Sequence, residues 1–213
     1  MPKNTVSHPV FARFYARVSP SMDRGGIADR RRQLLAGLSG RVIEVGAGNG
    51  LNFGHYPPEV ARVLAVEPEP HLRAIARRAA RQASTPVDVV DGVAAQLPAD
   101  DASFDAAVAS LVLCSVGDQP GALGEIFRVL RPGGQLRFLE HVRARTWGLY
   151  RVQRLLDVTV WPAFGGGCHP SRDTAAAIVG AGFTIQQLEH FCFPESRFAL
   201  PTSPHILGNA LRP

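Results

Sequence analysis

The apolar run Arg41 to Val45 leads straight into Gly46-Ala47-Gly48-Asn49-Gly50, so a strand must end in a turn where three glycines let the backbone approach a ligand closely. Such a turn belongs at the carboxyl edge of a parallel sheet, where doubly wound α/β folds form their crevice. Further runs at Arg62 to Val66, Val87 to Val90, Asp105 to Ser110, Gly134 to His141, Thr184 to His190 and Ile206 to Ala210 read as strands. Helical patterns lie near 69–82, 119–130, 146–161 and 172–180. This alternation predicts an α/β domain built on seven strands. Pro132-Gly133-Gly134 is read as the stop for the helix before the fifth strand.

With 213 residues the chain holds one domain with a substantial core. Residues 41–213 are expected to form it, behind an N-terminal helical segment, residues 1–40. In that segment Val10, Phe11, Phe14, Tyr15 and Val18 recur at helical spacing. Their apolar face either packs on the sheet domain or closes over the crevice as a lid. No run of about 18 apolar residues is present and no secretory signal is visible, so a cytoplasmic protein without stable membrane insertion is expected. The net charge is +5, but there is a single lysine and the arginines are scattered. Nucleic acid is therefore not an expected partner, and Arg30-Arg31-Arg32 reads as a solvated helix face. Cys114, Cys168 and Cys192 are too far apart in sequence for a zinc knuckle or a redox pair, and Cys168-His169 has no second ligand pair, so no metal is expected.

Dinucleotide sites space their glycines G-x-G-x-x-G, whereas here the third glycine comes one position early and Leu51 takes its place. Glu44, two residues before the first glycine, would attract an ammonium group and repel a pyrophosphate. The ligand is then zwitterionic. Glu67, followed by Pro68 after the second strand, can accept hydrogen bonds from both hydroxyls of a ribose, each contributing about 1.5–3 kcal/mol. Gly92, Val93 and Ala94 follow the third strand at the level expected for an adenine ring, with backbone groups of Val93 and Ala94 serving where no acidic residue follows Gly92.

These features, with Leu97-Pro98, Ser103-Phe104-Asp105 and the segment Arg128 to Gly134, resemble the successive motifs of class I S-adenosylmethionine methyltransferases. The resemblance implies a Rossmann-like, mostly parallel seven-stranded sheet with an antiparallel last strand and helices on both faces. It also implies S-adenosylmethionine as cofactor and S-adenosylhomocysteine as product. The cofactor residues it marks are Glu44, Gly46, Ala47, Gly48, Asn49, Gly50, Asn52, Glu67, Pro68, Gly92, Val93, Ala94, Leu111 and Cys114. Across residues 41–210, Asn52-Phe53, Tyr56-Pro57-Pro58, Leu111 to Val116, Glu140-His141-Val142, Gln153 to Asp157, Gly167-Cys168, Arg172 and Pro204-His205-Ile206 look like the methyltransferase-like seven group, which are microsomal alkyl-thiol S-methyltransferases. This chain lacks their hydrophobic anchor, which implies a soluble relative.

Methyl transfer asks chiefly for an in-line nucleophile, since positioning alone can remove roughly 7–11 kcal/mol of the barrier. A thiol of pKa about 8.5 costs only about 1.5 kcal/mol to ionise at a pH of about 7.4, against about 3.5 kcal/mol for a phenol near 10. A small, lipophilic thiol is therefore the expected acceptor, with a phenol, quinol or natural-product intermediate as the alternative for O- or C-methylation. A noncatalytic cofactor-binding protein is the third reading. His141, ending the fifth strand, is the candidate general base. Asp157, on an apolar helical face, needs a partner or a task, and His141 or Arg172 is its candidate partner. Tyr15, Trp161, His169, Arg172 and His205 are the candidate acceptor contacts. An insertion near 143–170, carrying Trp147, Tyr150, Trp161 and Phe164, is the place for an apolar acceptor pocket.

Overall fold

The computed structural model describes residues 8–159, 161–194 and 200–213. Seven strands form one sheet: β1 (Gly40–Val45), β2 (Val60–Val66), β3 (Val87–Val90), β4 (Phe104–Ser110), β5 (Leu130–His141), β6 (Thr184–Cys192) and β7 (Pro204–Leu211). Their spatial order is β3-β2-β1-β4-β5-β7-β6. Strands β1 to β5 pair in parallel, and β7 runs antiparallel to both β5 and β6. The order reverses between β1 and β4, which sets a crevice at their carboxyl ends.

The helices are α1 (Pro9–Met22), α2 (Ala28–Leu35), α3 (Pro70–Ala80), α4 (Gln119–Val129), α5 (Trp147–Asp157), α6 (Trp161–Phe164) and α7 (Thr174–Gly180). Period-two alternation divides the central strands between two cores. Ile43, Val45, Ala107, Ala109, Leu136 and Phe138 pack with Leu123, Ile126 and Val129 of α4 and Ile178 of α7. Val42, Val63, Ala65, Ala106 and Val108 pack with Leu34 and Leu35 of α2 and Ala76 of α3. Covering both faces explains why β1 and β4 read as nearly unbroken apolar runs. Three helices start where a carboxylate accepts an orphan amide: Glu69 from His71 (3.4 Å), Asp118 from Gly121 (2.9 Å) and Asp173 from Ala176 (3.1 Å).

Three sequence expectations change. Helix α4 stops at Val129, ahead of the Pro-Gly-Gly segment, and β5 already begins at Leu130. Its register passes from Phe104↔Leu130 to Ala106↔Gln135, so residues 131–134 form a bulge that absorbs Pro132, which has no N–H to give a ladder. The helix expected over 146–161 is two helices, because the β-branched run Val158-Thr159-Val160 is a poor continuation, with Val160 itself outside the described residues. Within the N-terminal segment, of which residues 1–7 lie outside the described residues, Asp23–Ile27 is a kinked stretch with Gly26 at φ 122°. The kink turns Arg31 inward. Arg31 is buried rather than solvated, and its Nε donates to Asp23 at 2.9 Å.

Candidate active site

The turn after β1 is held from its neighbour. The N–H groups of Gly46 and Ala47 both donate to the Val66 carbonyl, at 2.9 and 3.1 Å, and the Gly48 N–H donates to Glu67 Oε2 at 2.7 Å. Gly46 has φ +68°, and a Cβ there would stand 2.3 Å from Val112 Cγ2. Only glycine allows the cofactor turn and the β4–α4 loop to approach this closely.

Glu44 serves this turn from beneath. It is buried, its two oxygens accept from Asn52 Nδ2 (2.9 Å) and Tyr56 Oη (2.7 Å), and it does not line the cavity. Burial pushes its carboxyl up to about 7, against the opposing pull of the Tyr56 and Asn52 hydrogen bonds and the Arg31 charge. Arg31 Nη1 donates to Asn52 Oδ1 (2.9 Å) and Ser110 Oγ (3.2 Å), which continues the network from the turn to the end of β4. Both Glu44 and Asn52 were expected to touch cofactor; instead their polar groups are spent on Tyr56, Arg31 and each other. Asn49 is likewise turned away, donating to Ser19 Oγ of α1 at 2.9 Å.

Over the turn opens a cavity of about 570 Å³. Of the expected cofactor residues, Gly46, Gly48, Glu67, Pro68, Gly92, Val93, Ala94 and Leu111 line it, together with Tyr15 from α1. Ala47, Gly50 and Cys114 do not. Glu67 accepts one backbone hydrogen bond on each oxygen, from Gly48 and from Glu69 (2.9 Å), and each oxygen keeps a lone pair. Its pKa is raised by burial, with the two backbone bonds acting against that. Asp91 points away and pairs with Arg73 at 3.0 Å, so Gly92, Val93, Ala94 and Ala95 make the cavity wall after β3.

Sequence reading passed over several lining groups. His8, Glu69, Leu72, Ala95, Ser110, Val112, Val116, Gly117, Asp118 and Gly166 all face the cavity, and Phe11, on the expected lid face, and Ser115, in a loop expected to touch cofactor or acceptor, line it as well. Glu69 was recoverable, since a carboxylate just before a proline is a helix-start signal beside the ribose site. Phe11 and Tyr15 stack with centroids 5.7 Å apart, and a Cβ on Gly166 would meet the Phe11 ring at 2.5 Å. Helix α1 therefore lies between the cofactor turn and the insertion after β5.

The β4–α4 loop is fixed by Glu140, a residue whose role was not foreseen. Fully buried, it accepts from the N–H groups of Val112 (3.0 Å), Leu113 (2.9 Å) and Cys114 (3.1 Å). Burial raises its pKa, while the three amides oppose the rise. Arg172, expected to contact acceptor, donates instead to the carbonyls of Leu113 (2.8 Å) and Val116 (2.7 Å). The His169 N–H donates to the Cys114 carbonyl at 2.8 Å. Neither residue lines the cavity; both pin the loop from outside.

Asp157 meets neither His141 nor Arg172: its Oδ2 accepts from the backbone N–H and the hydroxyl of Ser171, because the α5–α6 break turns the carboxylate toward that segment. His205 is buried, with Nδ1 donating to the Ser203 carbonyl at 2.7 Å, and burial followed by the His141 charge lowers its pKa to about 3. It stays neutral and packs in the core. Trp147 and Phe164 are 72% and 76% exposed, so these two aromatics of the insertion face outward instead of lining a closed pocket. Trp161 does not line the cavity and stands beside Cys168. His141 does not line it either; its Nδ1 lies 3.6 Å from Cys114 Sγ and 3.7 Å from Cys168 Sγ. The fold thus brings together two cysteines that sequence spacing had kept apart.

A family described as "Methyltransferase domain" matches residues 43–138. The chain is 36% identical over 201 residues to thiol S-methyltransferase TMT1A of Homo sapiens, covering 87% of this chain and 80% of the relative. It is 37% identical over 187 residues to human thiol S-methyltransferase TMT1B, covering 84% and 74%. A demethylmenaquinone methyltransferase of Thermus thermophilus is 33% identical over 129 residues, 59% of this chain and 58% of that one. Among solved structures, a SAM-dependent methyltransferase of Thermotoga maritima, described as a possible histamine N-methyltransferase, superposes with TM-score 0.72 at 22% identity, covering 96% and 98%. The [4+2]-cyclase SpnF superposes with TM-score 0.67 at 21% identity, covering 95% and 94%. Likeness at that level carries the fold, and the cyclase illustrates that the fold alone does not choose the chemistry.

Proposed function

The chain belongs to the S-adenosylmethionine-dependent methyltransferases, alongside the thiol S-methyltransferases TMT1A and TMT1B, and from that premise we propose that it methylates the sulfur of a small, lipophilic thiol. The observation that carries this reading is the identity of 36–37% with those two enzymes, sustained over more than four fifths of this chain. The cavity fits the cofactor: Glu67 has lone pairs for ribose hydroxyls, the Gly92 to Ala94 wall offers a flat apolar side to adenine, and the turn at Gly46 and Gly48 admits the amino-acid end.

Leu111, Val112 and Val116 of the β4–α4 loop give the cavity an apolar surround that would suit a lipophilic acceptor beside the bound cofactor. When bound, S-adenosylmethionine would supply an electron-poor methyl group to a thiolate sulfur and would leave as S-adenosylhomocysteine, which keeps the electron pair of the broken carbon–sulfur bond. The acceptor's proton leaves to solvent. No ionised base need touch the acceptor, which suits a wall where Tyr15 is held protonated by burial. Helix α1 acts as the lid, through Phe11 and Tyr15, and sheds water from the reacting atoms. Among the described residues no helix is long and apolar enough to cross a membrane.

The test is a panel of alkyl thiols, phenols and quinols incubated with protein and cofactor, with methylated products read by mass spectrometry. Methyl thioethers from the thiols are the expected products; methyl ethers or C-methylated quinols with the thiols untouched would overturn the proposal.

A further inference from the structure

Behind the wall that the β4–α4 loop gives to the cavity lies a second constellation. Cys114 Sγ, Cys168 Sγ and His141 Nδ1 all lie within 4.8 Å of one another. We propose that Cys114, Cys168 and His141 form a binding site for a thiophilic divalent cation, Zn²⁺ by its chemistry, with the fourth coordination position left to water or another sulfur ligand.

The two sulfur-to-nitrogen distances are those of a tetrahedron. With Zn–S near 2.3 Å and Zn–N near 2.0–2.1 Å, a tetrahedral edge from sulfur to nitrogen is about 3.6 Å. The two observed edges are 3.6 and 3.7 Å. Two thiolates and a neutral imidazole also balance the double positive charge, and sulfur with imidazole selects zinc over magnesium or calcium.

Each ligand comes from a different element and is held by its own backbone. Cys114 has its N–H on Glu140 and its carbonyl on the His169 N–H. Cys168 donates its N–H to the Gly165 carbonyl at 3.1 Å. Gly167 sits so close to the loop that a Cβ would meet the Ser115 carbonyl oxygen at 2.6 Å, which is what delivers Cys168 to Cys114. His141 ends β5, directly opposite His205 in the ladder, with ring centroids 4.4 Å apart. If Nδ1 binds metal, Nε2 carries the proton. The His205 ring packs against that ring and limits its rotation. Both thiols are buried, so an alternative use as exposed redox sensors has little access.

The test uses the full chain, purified with reductant, stripped with chelator and dialysed, then titrated with Co²⁺ and with Zn²⁺. Expected are one Zn²⁺ per chain and, with cobalt, a thiolate-to-metal charge-transfer band together with intense visible bands of tetrahedral coordination. Zinc should raise the melting temperature of the wild type and leave that of Cys168→Ser unchanged, while the exposed-cysteine control Cys192→Ser responds as wild type. Absence of the charge-transfer band in folded protein, or an identical band in both Cys114→Ser and Cys168→Ser, would overturn the site. The readouts need no acceptor turnover, so their failure is separate from failure of the thiol reading.

Discussion

The Tyr56 hydroxyl donates to the Glu44 carboxylate at 2.7 Å, beneath the cofactor turn and out of contact with the cavity above it. This places an ionisable group directly beneath the turn. Burial raises the folded-state pKa of Glu44 from 4.5 to about 7, so the folded protein prefers the neutral acid. Its contribution to stability is full below about pH 4.5 and is lost as pH rises through about 7, by an amount on the order of 3 kcal/mol. Denaturant unfolding of the ligand-free protein from pH 5 to 8 should show this decline, and Glu44→Gln should flatten it. An unchanged slope in the variant would assign the pH dependence elsewhere.

Arg31 joins Asp23, Asn52 and Ser110 in one buried network. Arg31→Met leaves Asp23 and the Asn52 amide oxygen without their partner, and breaking a buried pair in this way costs about 3–5 kcal/mol. Thermal unfolding is expected to fall by several degrees or more. A loss under about 1 kcal/mol would mean that the network is solvated in the folded protein.

Glu67 follows β2 in the cavity wall and keeps a free lone pair on each oxygen. Glu67→Ala should weaken binding of S-adenosylhomocysteine by roughly ten- to a hundredfold, the equivalent of one charge-assisted hydrogen bond. Calorimetry reads this directly, and an affinity within twofold of wild type would remove Glu67 from the cofactor site.

Gly166 has φ +61° and lies against the Phe11 ring. Gly166→Ala strains the backbone by about 1–2 kcal/mol and pushes Phe11 and α1 away from the cavity. With α1 as a lid, kcat/KM falls by tenfold or more while the sheet core keeps its cooperative unfolding. Wild-type kcat/KM in a folded variant would show that α1 is packing only.

The strands and the cofactor turn were legible in the sequence because both rest on local signals: apolar periodicity and glycines at fixed offsets. Glu67, Pro68 and the Gly92 to Ala94 wall followed from their position after strand ends. What sequence hid was the direction of side chains across long separations. Arg31 was read as solvated, but the kink at Gly26 rotates its helix inward. Arg172 and His169 seemed available to an acceptor, yet the Arg172 guanidinium and the His169 N–H hold loop carbonyls more than fifty residues away. The meeting of Cys114, His141 and Cys168 depends on a close backbone contact at Gly167, and no spacing rule for ligand pairs contains that information.

The choice of acceptor atom is tested most directly by an intramolecular competition. A mercaptophenol carries a thiol and a phenol on one ring, so both nucleophiles enter the same pocket with the same affinity. With S-adenosylmethionine bearing a trideuterated methyl group, the product's mass and its carbon shift report which atom received the label. The account predicts the label on sulfur; label on oxygen, with the thiol recovered unmodified, would contradict it.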